Sequence, residues 1–193
     1  TGANVATTLP PLMIDERGFG RYRAADYDAL IDHPVEISKH ERFEFDVRGV
    51  PHALVVTGAY KADLARIVRD TQKVCAEHIA MFHRDGTPPF AQYLFLLSVL
   101  PEGYGGLEHR DSTSLVCAAA DLPVAGDPAI SEGYLGLLSL ISNEYFQAWK
   151  VKRIRPKSFV PYDLTREAFT TQLWIYEGFT SYYDDLLLRR AGL

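Results

Sequence analysis

Residues 142–149 read Ser-Asn-Glu-Tyr-Phe-Gln-Ala-Trp. On a helix, positions i and i+4 project from one face, so Asn143 and Gln147 share a face with Glu144 beside them. Two imidazoles at that spacing can grip one metal ion, and the glutamate between them can address the metal-bound water. Here both imidazole positions hold side-chain amides, so the spacing of a hydrolytic metal site is present without its ligands. Taken alone, an Asn-Glu-x-x-Gln stretch is common on helices and carries no function. Two other segments change its weight. Downstream, Leu173 to Tyr183 reads as helical and sets Glu177 in Trp-x-x-Glu-Gly-Phe-Thr. Upstream, Gly105-Gly106-Leu107-Glu108-His109-Arg110 is a glycine pair leading to a carboxylate on a predicted edge strand.

The elements that position these residues are legible in the pattern of apolar side chains. Ser131 to Trp149 predicts a helix with Ser131 as its N-cap, running into a basic stretch that ends at Pro156. A last helix is predicted from about Thr165 to Arg190, stopping at Gly192. The continuous apolar run Tyr93 to Leu100 predicts a strand buried on both faces. A short strand from Gly105 toward His109 follows the turn at Glu102 to Tyr104. Arg42 to Val47 and His52 to Thr57 predict two strands joined by a turn at Gly49 to Pro51. Lys61 to Phe82 places Leu64, Ile67, Val74, Cys75, Ile79 and Phe82 close to helical spacing. Before His40, Pro10, Pro11, Gly18, Gly20 and Pro34 interrupt any periodicity, which predicts loop and connector.

Composition narrows the function classes. At 193 residues, with 47% hydrophobic and 23% charged side chains, the chain has the make-up of a soluble globular domain. A net charge of −5 argues against nucleic acid or anionic membrane as a partner. Lys150 to Arg155 is better explained as cations complementing a helix C-terminus. No apolar run reaches the roughly 18 residues that a membrane span needs. Cys75 and Cys117 lack CxxC spacing, and the six histidines show no HxH or HxxxH pairing, so no substitute metal set is signalled. The start at Thr1, without methionine or a leader pattern, suggests a piece of a longer protein.

In this order the three segments resemble the glycyl aminopeptidase family of zinc metallopeptidases, gluzincins related to thermolysin and the larger aminopeptidases. That family's pattern runs Gly-Gly-Leu-Glu-His, then His-Glu-Tyr-Phe-His-x-Trp-Asn-Val-Lys-Arg-Ile-Arg-Pro, then Glu-Gly-Phe-Thr-x-Tyr-Tyr. The first and third are intact here. The second reads Asn143-Glu144-Tyr145-Phe146-Gln147-Ala148-Trp149-Lys150-Val151-Lys152-Arg153-Ile154-Arg155-Pro156. The resemblance implies an α+β, thermolysin-like lobe over residues 41–193, with a mixed sheet packed on active-site helices and an end just after the third-ligand helix. Residues 1–40 would be a connector or the remnant of an N-terminal β-domain. By position, Asn143, Gln147 and Glu177 match the three zinc ligands, and Glu144 matches the general base. Glu108 matches the group that receives a substrate's free amino terminus, with His109 beside it. Gly105 and Gly106 would let a peptide backbone approach the strand.

The departures fall at the two positions that matter most to a metal. A side-chain amide oxygen is a weak, neutral ligand seldom seen in tetrahedral zinc sites. Without zinc, nothing lowers the pKa of a water from 15.7 to about 7, and Glu144 faces an unactivated water. The expectation is therefore a peptidase-like domain without a cofactor and without turnover, able to bind a peptide or protein N-terminus and joined to further domains. Asn143, Glu144, Gln147 and Glu177 offer too few oxygens for calcium. An amide of Asn143 or Gln147 is expected to donate to Glu177 in place of the missing cation. Two other readings stay open: an active zinc-dependent glycyl aminopeptidase with an altered metal site, and a purely structural scaffold lobe.

Overall fold

The computed structural model describes residues 2–83 and 87–193. Its centre is a five-stranded mixed sheet, built from β5 (Glu41–Val47), β6 (Val50–Gly58), β7 (Tyr93–Leu100), β8 (Gly105–Glu108) and β9 (Ser112–Ala118) in the order β5-β6-β7-β9-β8. The β5–β6 hairpin turns through Arg48 and Gly49, both at positive φ, with the Asp46 carboxylate accepting from the Gly49 N–H. Helix α2 (Leu64–Phe82) then makes the crossover that a parallel β6–β7 pair requires. After β7 the chain runs out along β8 and returns as β9, which slots between them, parallel to β7 and antiparallel to β8. Strand β8 is thereby left on the edge.

Two layers cover the sheet. One face meets α2 and α3 (Glu132–Lys150), where Leu54, Val56, Phe95, Leu97, Leu115 and Cys117 pack on Ile67, Val74, Tyr134, Leu138, Ile141 and Tyr145. On the other face Ala53, Val55, Leu94 and Leu96 pack against Ala6. Burial on both faces is why β6 and β7 read as continuous apolar runs rather than alternating ones. Helix α4 (Leu173–Arg190) packs along α3 and contributes Leu187 and Leu188 to the interior.

Three sequence expectations need correction. Residues before His40 contain two small antiparallel ladders, β1 (Asn4–Ala6) with β4 (Glu36–Ser38) and β2 (Pro11–Ile14) with β3 (Gly20–Tyr22), and a short helix α1 (Tyr27–Ile31), rather than loop alone. Strands of three or four residues are too short to show a period. Gly20, at φ 153°, permits the β2–β3 hairpin, since a Cβ there would lie 2.0 Å from the Met13 carbonyl oxygen. Helix α4 begins at Leu173, not near Thr165, because Asp163 and Thr170 side chains accept backbone N–H groups of Thr165 and Gln172 and hold turns instead. Strand β9 was not expected: its first residues, Ser112 and Thr113, are polar yet fully buried, so no apolar run announces it.

Two buried histidines tie the layers together. His78 of α2 places Nδ1 2.9 Å from the Val74 carbonyl and Nε2 3.0 Å from the Ser142 carbonyl of α3. His52 of β6 places Nε2 2.8 Å from the Tyr145 hydroxyl. Burial pushes both rings down from 6.5 to about 4, against nearby backbone carbonyls that favour the proton. Between 6.5 and about 4 the folded chain therefore binds fewer protons here than the unfolded chain. The stability each neutral ring contributes, on the order of 3 kcal/mol, is present above the unfolded value and lost as pH falls through the folded one. Imidazole proton resonances are expected to titrate with midpoints near pH 4 for both rings; a midpoint at 6.5 or above would show that burial does not control them.

Candidate functional site

The site forms where α3 passes the edge strand β8 and packs along α4. Ser131 caps α3 by accepting from the Tyr134 N–H at 3.1 Å. From that start the helical repeat carries Ile141, Tyr145 and Ala148 into the core and brings Asn143 and Gln147 to one flank. Glu144, only 6% exposed, is pressed against β8. The reason it fits is Gly106: a Cβ there would stand 2.4 Å from the Glu144 Cδ and Oε1. Gly105 has no such neighbour. One glycine of the pair is thus required by the carboxylate beside it, while the other faces open space.

Three carboxylates converge here from separate elements: Glu144 on α3, Glu108 at the end of β8, and Glu177 on α4. Burial, then the charges of Glu108 and Glu177, push the Glu144 carboxyl up to about 8. Its Oε2 is buried without a hydrogen-bond partner. Partial desolvation and Glu108 also raise Glu177, and Tyr104 is raised by partial desolvation and by the charges of Asp184 and Glu144. The carboxylates expected from sequence are therefore brought together, and they repel one another.

The amides do something else. Gln147 Nε2 donates to Asn143 Oδ1 at 2.8 Å, and Asn143 Nδ2 donates to Asp184 Oδ2 at 2.7 Å. The expected donation to Glu177 is not made. Asp184, 5% exposed, is cut off from water and needs donors, whereas Glu177 is exposed and can be hydrated. Burial still leaves the Asp184 carboxyl raised to about 6, although the Asn143 amide and the Asp185 N–H pull it down. Asp184 went unnoticed in the sequence. The available signal was its position seven residues after Glu177, two turns along the same helix face.

His109 also departs from expectation. Its ring is buried, 3.7 Å from an oxygen of Asp32, which Lys152 approaches to 2.6 Å. Against burial, which raises it, the neighbouring His109 ring, the Lys152 charge and the Arg110 N–H hold the Asp32 carboxyl down at about 2. Among the described residues no group of three or more His, Cys, Asp or Glu side chains is placed to hold a metal ion.

With this geometry in view, comparison with known proteins is informative. Residues 136–193 match the family described as M61 glycyl aminopeptidase, and residues 1–39 match the Peptidase M61 N-terminal domain. The fold superposes on the crystal structure of an aminopeptidase N family protein from Idiomarina loihiensis with a TM-score of 0.94 and 43% sequence identity over 98% of this chain. The chain is homologous to the M61 glycyl aminopeptidases. It spans 32% of the length of the Idiomarina chain, and no curated protein matches it. The M61 match over residues 136–193 takes in α4 and most of α3, including the amide pair, Glu144 and Glu177. No helix of this M61 homologue, among the described residues, is long and apolar enough to cross a membrane.

The raised Glu144 carboxyl gives a signed pH effect. Between 4.5 and about 8 the folded chain keeps a proton that the unfolded chain releases, so this contribution is present below 4.5 and lost as pH rises through 8. Glu144→Gln is neutral throughout. It is expected to melt above the parent chain by about 3 °C or more in alkaline buffer, with little difference in acid. An advantage that does not change with pH would show that Glu144 is not held protonated.

Proposed function

We propose that this chain is a thermolysin-like peptidase lobe, over residues 41–193, that lacks zinc chemistry and keeps a receptor for peptide amino termini. Residues 1–40 belong, in this reading, to the remnant of an N-terminal β-domain. The observation that carries the proposal is the hydrogen-bond chain from Gln147 through Asn143 to Asp184. It engages the Asn143 oxygen, the atom of that amide a cation would need, with the Gln147 N–H, and commits an Asn143 N–H to Asp184. Amide oxygens are in any case poor zinc donors, and Glu177 alone is not a zinc site. This donor set does not fit zinc, so no step of peptide hydrolysis is assigned to Glu144.

What remains suits an ammonium group. Glu108, Glu144 and Glu177 stand together with one buried carboxylate oxygen unpartnered, and a peptide's amino terminus brings one positive charge and three N–H donors. Strand β8 lies on the sheet edge, where an extended peptide can add as a further strand.

Metal analysis and an N-terminal glycine release assay test this together. The purified chain is expected to hold no stoichiometric zinc and to release no glycine, whereas the double substitution Asn143→His with Gln147→His is expected to gain about one zinc per chain. Stoichiometric zinc with metal-dependent release in the unaltered chain would overturn the proposal.

A further inference from the structure

Glu108 ends β8, a strand of four residues with a single neighbour, β9. Gly106 and Glu108, two residues apart, share the face of β8 that meets α3, which is why both bear on Glu144. Gly105 and Gly106 leave half of the strand without side chains to pack, and a strand so short frays unless its end is tied down. The position of Glu108 therefore depends on the turn that follows it, His109 to Asp111, which leads into β9.

That turn is held mostly by residues far away in the sequence. Within it, the His109 N–H donates to the Ser112 carbonyl at 2.9 Å. From the N-terminal segment, Asp32 closes α1 and accepts the Arg110 N–H at 3.2 Å, with its other oxygen 3.7 Å from His109 Nδ1. The Thr8 hydroxyl donates to the Asp111 carboxylate at 2.8 Å, and His33 stands 3.8 Å from the same carboxylate. From the other side Arg153 donates to the Arg110 carbonyl at 2.8 Å, and Lys152 pairs with Asp32 at 2.6 Å. Thr8, Asp32 and His33 thus meet every residue of the turn, and they belong to the stretch, residues 1–39, that matches the M61 N-terminal domain. Asp32 is only 5% exposed, and burying a carboxylate is costly even when it is paired. Apolar contact would join two segments at less cost, whereas a carboxylate that accepts a backbone N–H also fixes where that backbone runs.

We propose that Asp32 is a positioning residue for the amino-terminus receptor: by fixing the turn after β8 it sets where Glu108 stands against α3. The inference rests on the reading of Glu108 as that receptor and adds to it a contribution from the N-terminal segment. Asp32 acts through the backbone of Arg110 and the ring of His109, not on the peptide.

Calorimetric titration of the whole chain with a Gly-led peptide and its N-acetylated counterpart provides the test, read as the ratio of the two affinities. A chain that is partly unfolded binds both peptides less in equal proportion, so lost stability leaves this ratio unchanged. The unaltered chain is expected to favour the free amine by about tenfold, as one charge-assisted contact allows. Asp32→Ala is expected to cut that preference by about threefold or more. A preference kept whole in Asp32→Ala overturns the positioning role and leaves the Glu108 reading standing. Equal affinity for the two peptides in the unaltered chain overturns the Glu108 reading, and the positioning role with it. Should Asp32→Ala fail to fold, amide hydrogen exchange of the unaltered chain decides the matter. The Arg110 N–H is then expected to exchange as slowly as the amides of β9, and free exchange there shows that Asp32 does not hold the turn.

Discussion

Helix α3 is buried on nearly every side, against the sheet, α2 and α4, and that burial dictates what each of its polar residues must do. Its apolar side chains, from Leu137 to Trp149, fill the interior around Tyr93, Phe95 and Phe90. A helix so enclosed has little water to offer a polar group, so each must find a partner within the fold. Ser142 gives its hydroxyl to the Asp184 carbonyl and its own carbonyl to His78; Asn143 and Gln147 form a chain that ends on the Asp184 carboxylate. These contacts fasten α3 to α2 and α4 at one level of the helix.

Glu144 is the exception to this rule of satisfaction, and its environment explains why the exception persists. Gly106 admits its carboxylate against the edge strand, but neither glycine nor strand offers a donor to Oε2. Burial and two neighbouring carboxylates then favour the neutral acid. A site with a cation would reverse that balance, since positive charge stabilises all three carboxylates at once. With amides rather than cations beside it, the cluster keeps this demand for positive charge. The ammonium of a peptide is the cation that such a cluster can take without ligands of fixed geometry.

The Asp32 neighbourhood has the opposite character. Here one strongly acidic carboxylate from the N-terminal segment is held by Lys152 after α3 and by Arg110 after β8. That contact ties the segment matched by the M61 N-terminal domain to the region that follows the helix. It also sets the walls of a cavity lined by Arg155 and His109.

Much of the fold was legible because its signals are local. The strand pair at Arg42 to Thr57, the doubly buried Tyr93 to Leu100, the Ser131 cap and the Gly-Gly-Leu-Glu edge strand each follow from a period or a turn residue that neighbours in sequence supply. Strand β9 was hidden because its leading residues are polar and buried, and the ladders before His40 because three residues show no period. At the site, the sequence by itself determined the family, the amide pair at Asn143 and Gln147 and the presence of the three carboxylates. Tertiary structure alone decided that Asn143 serves Asp184 rather than Glu177, and that His109 turns to Asp32. Both outcomes depend on which oxygens are shut off from water, and exclusion of water belongs to packing between elements, which no residue type or spacing expresses.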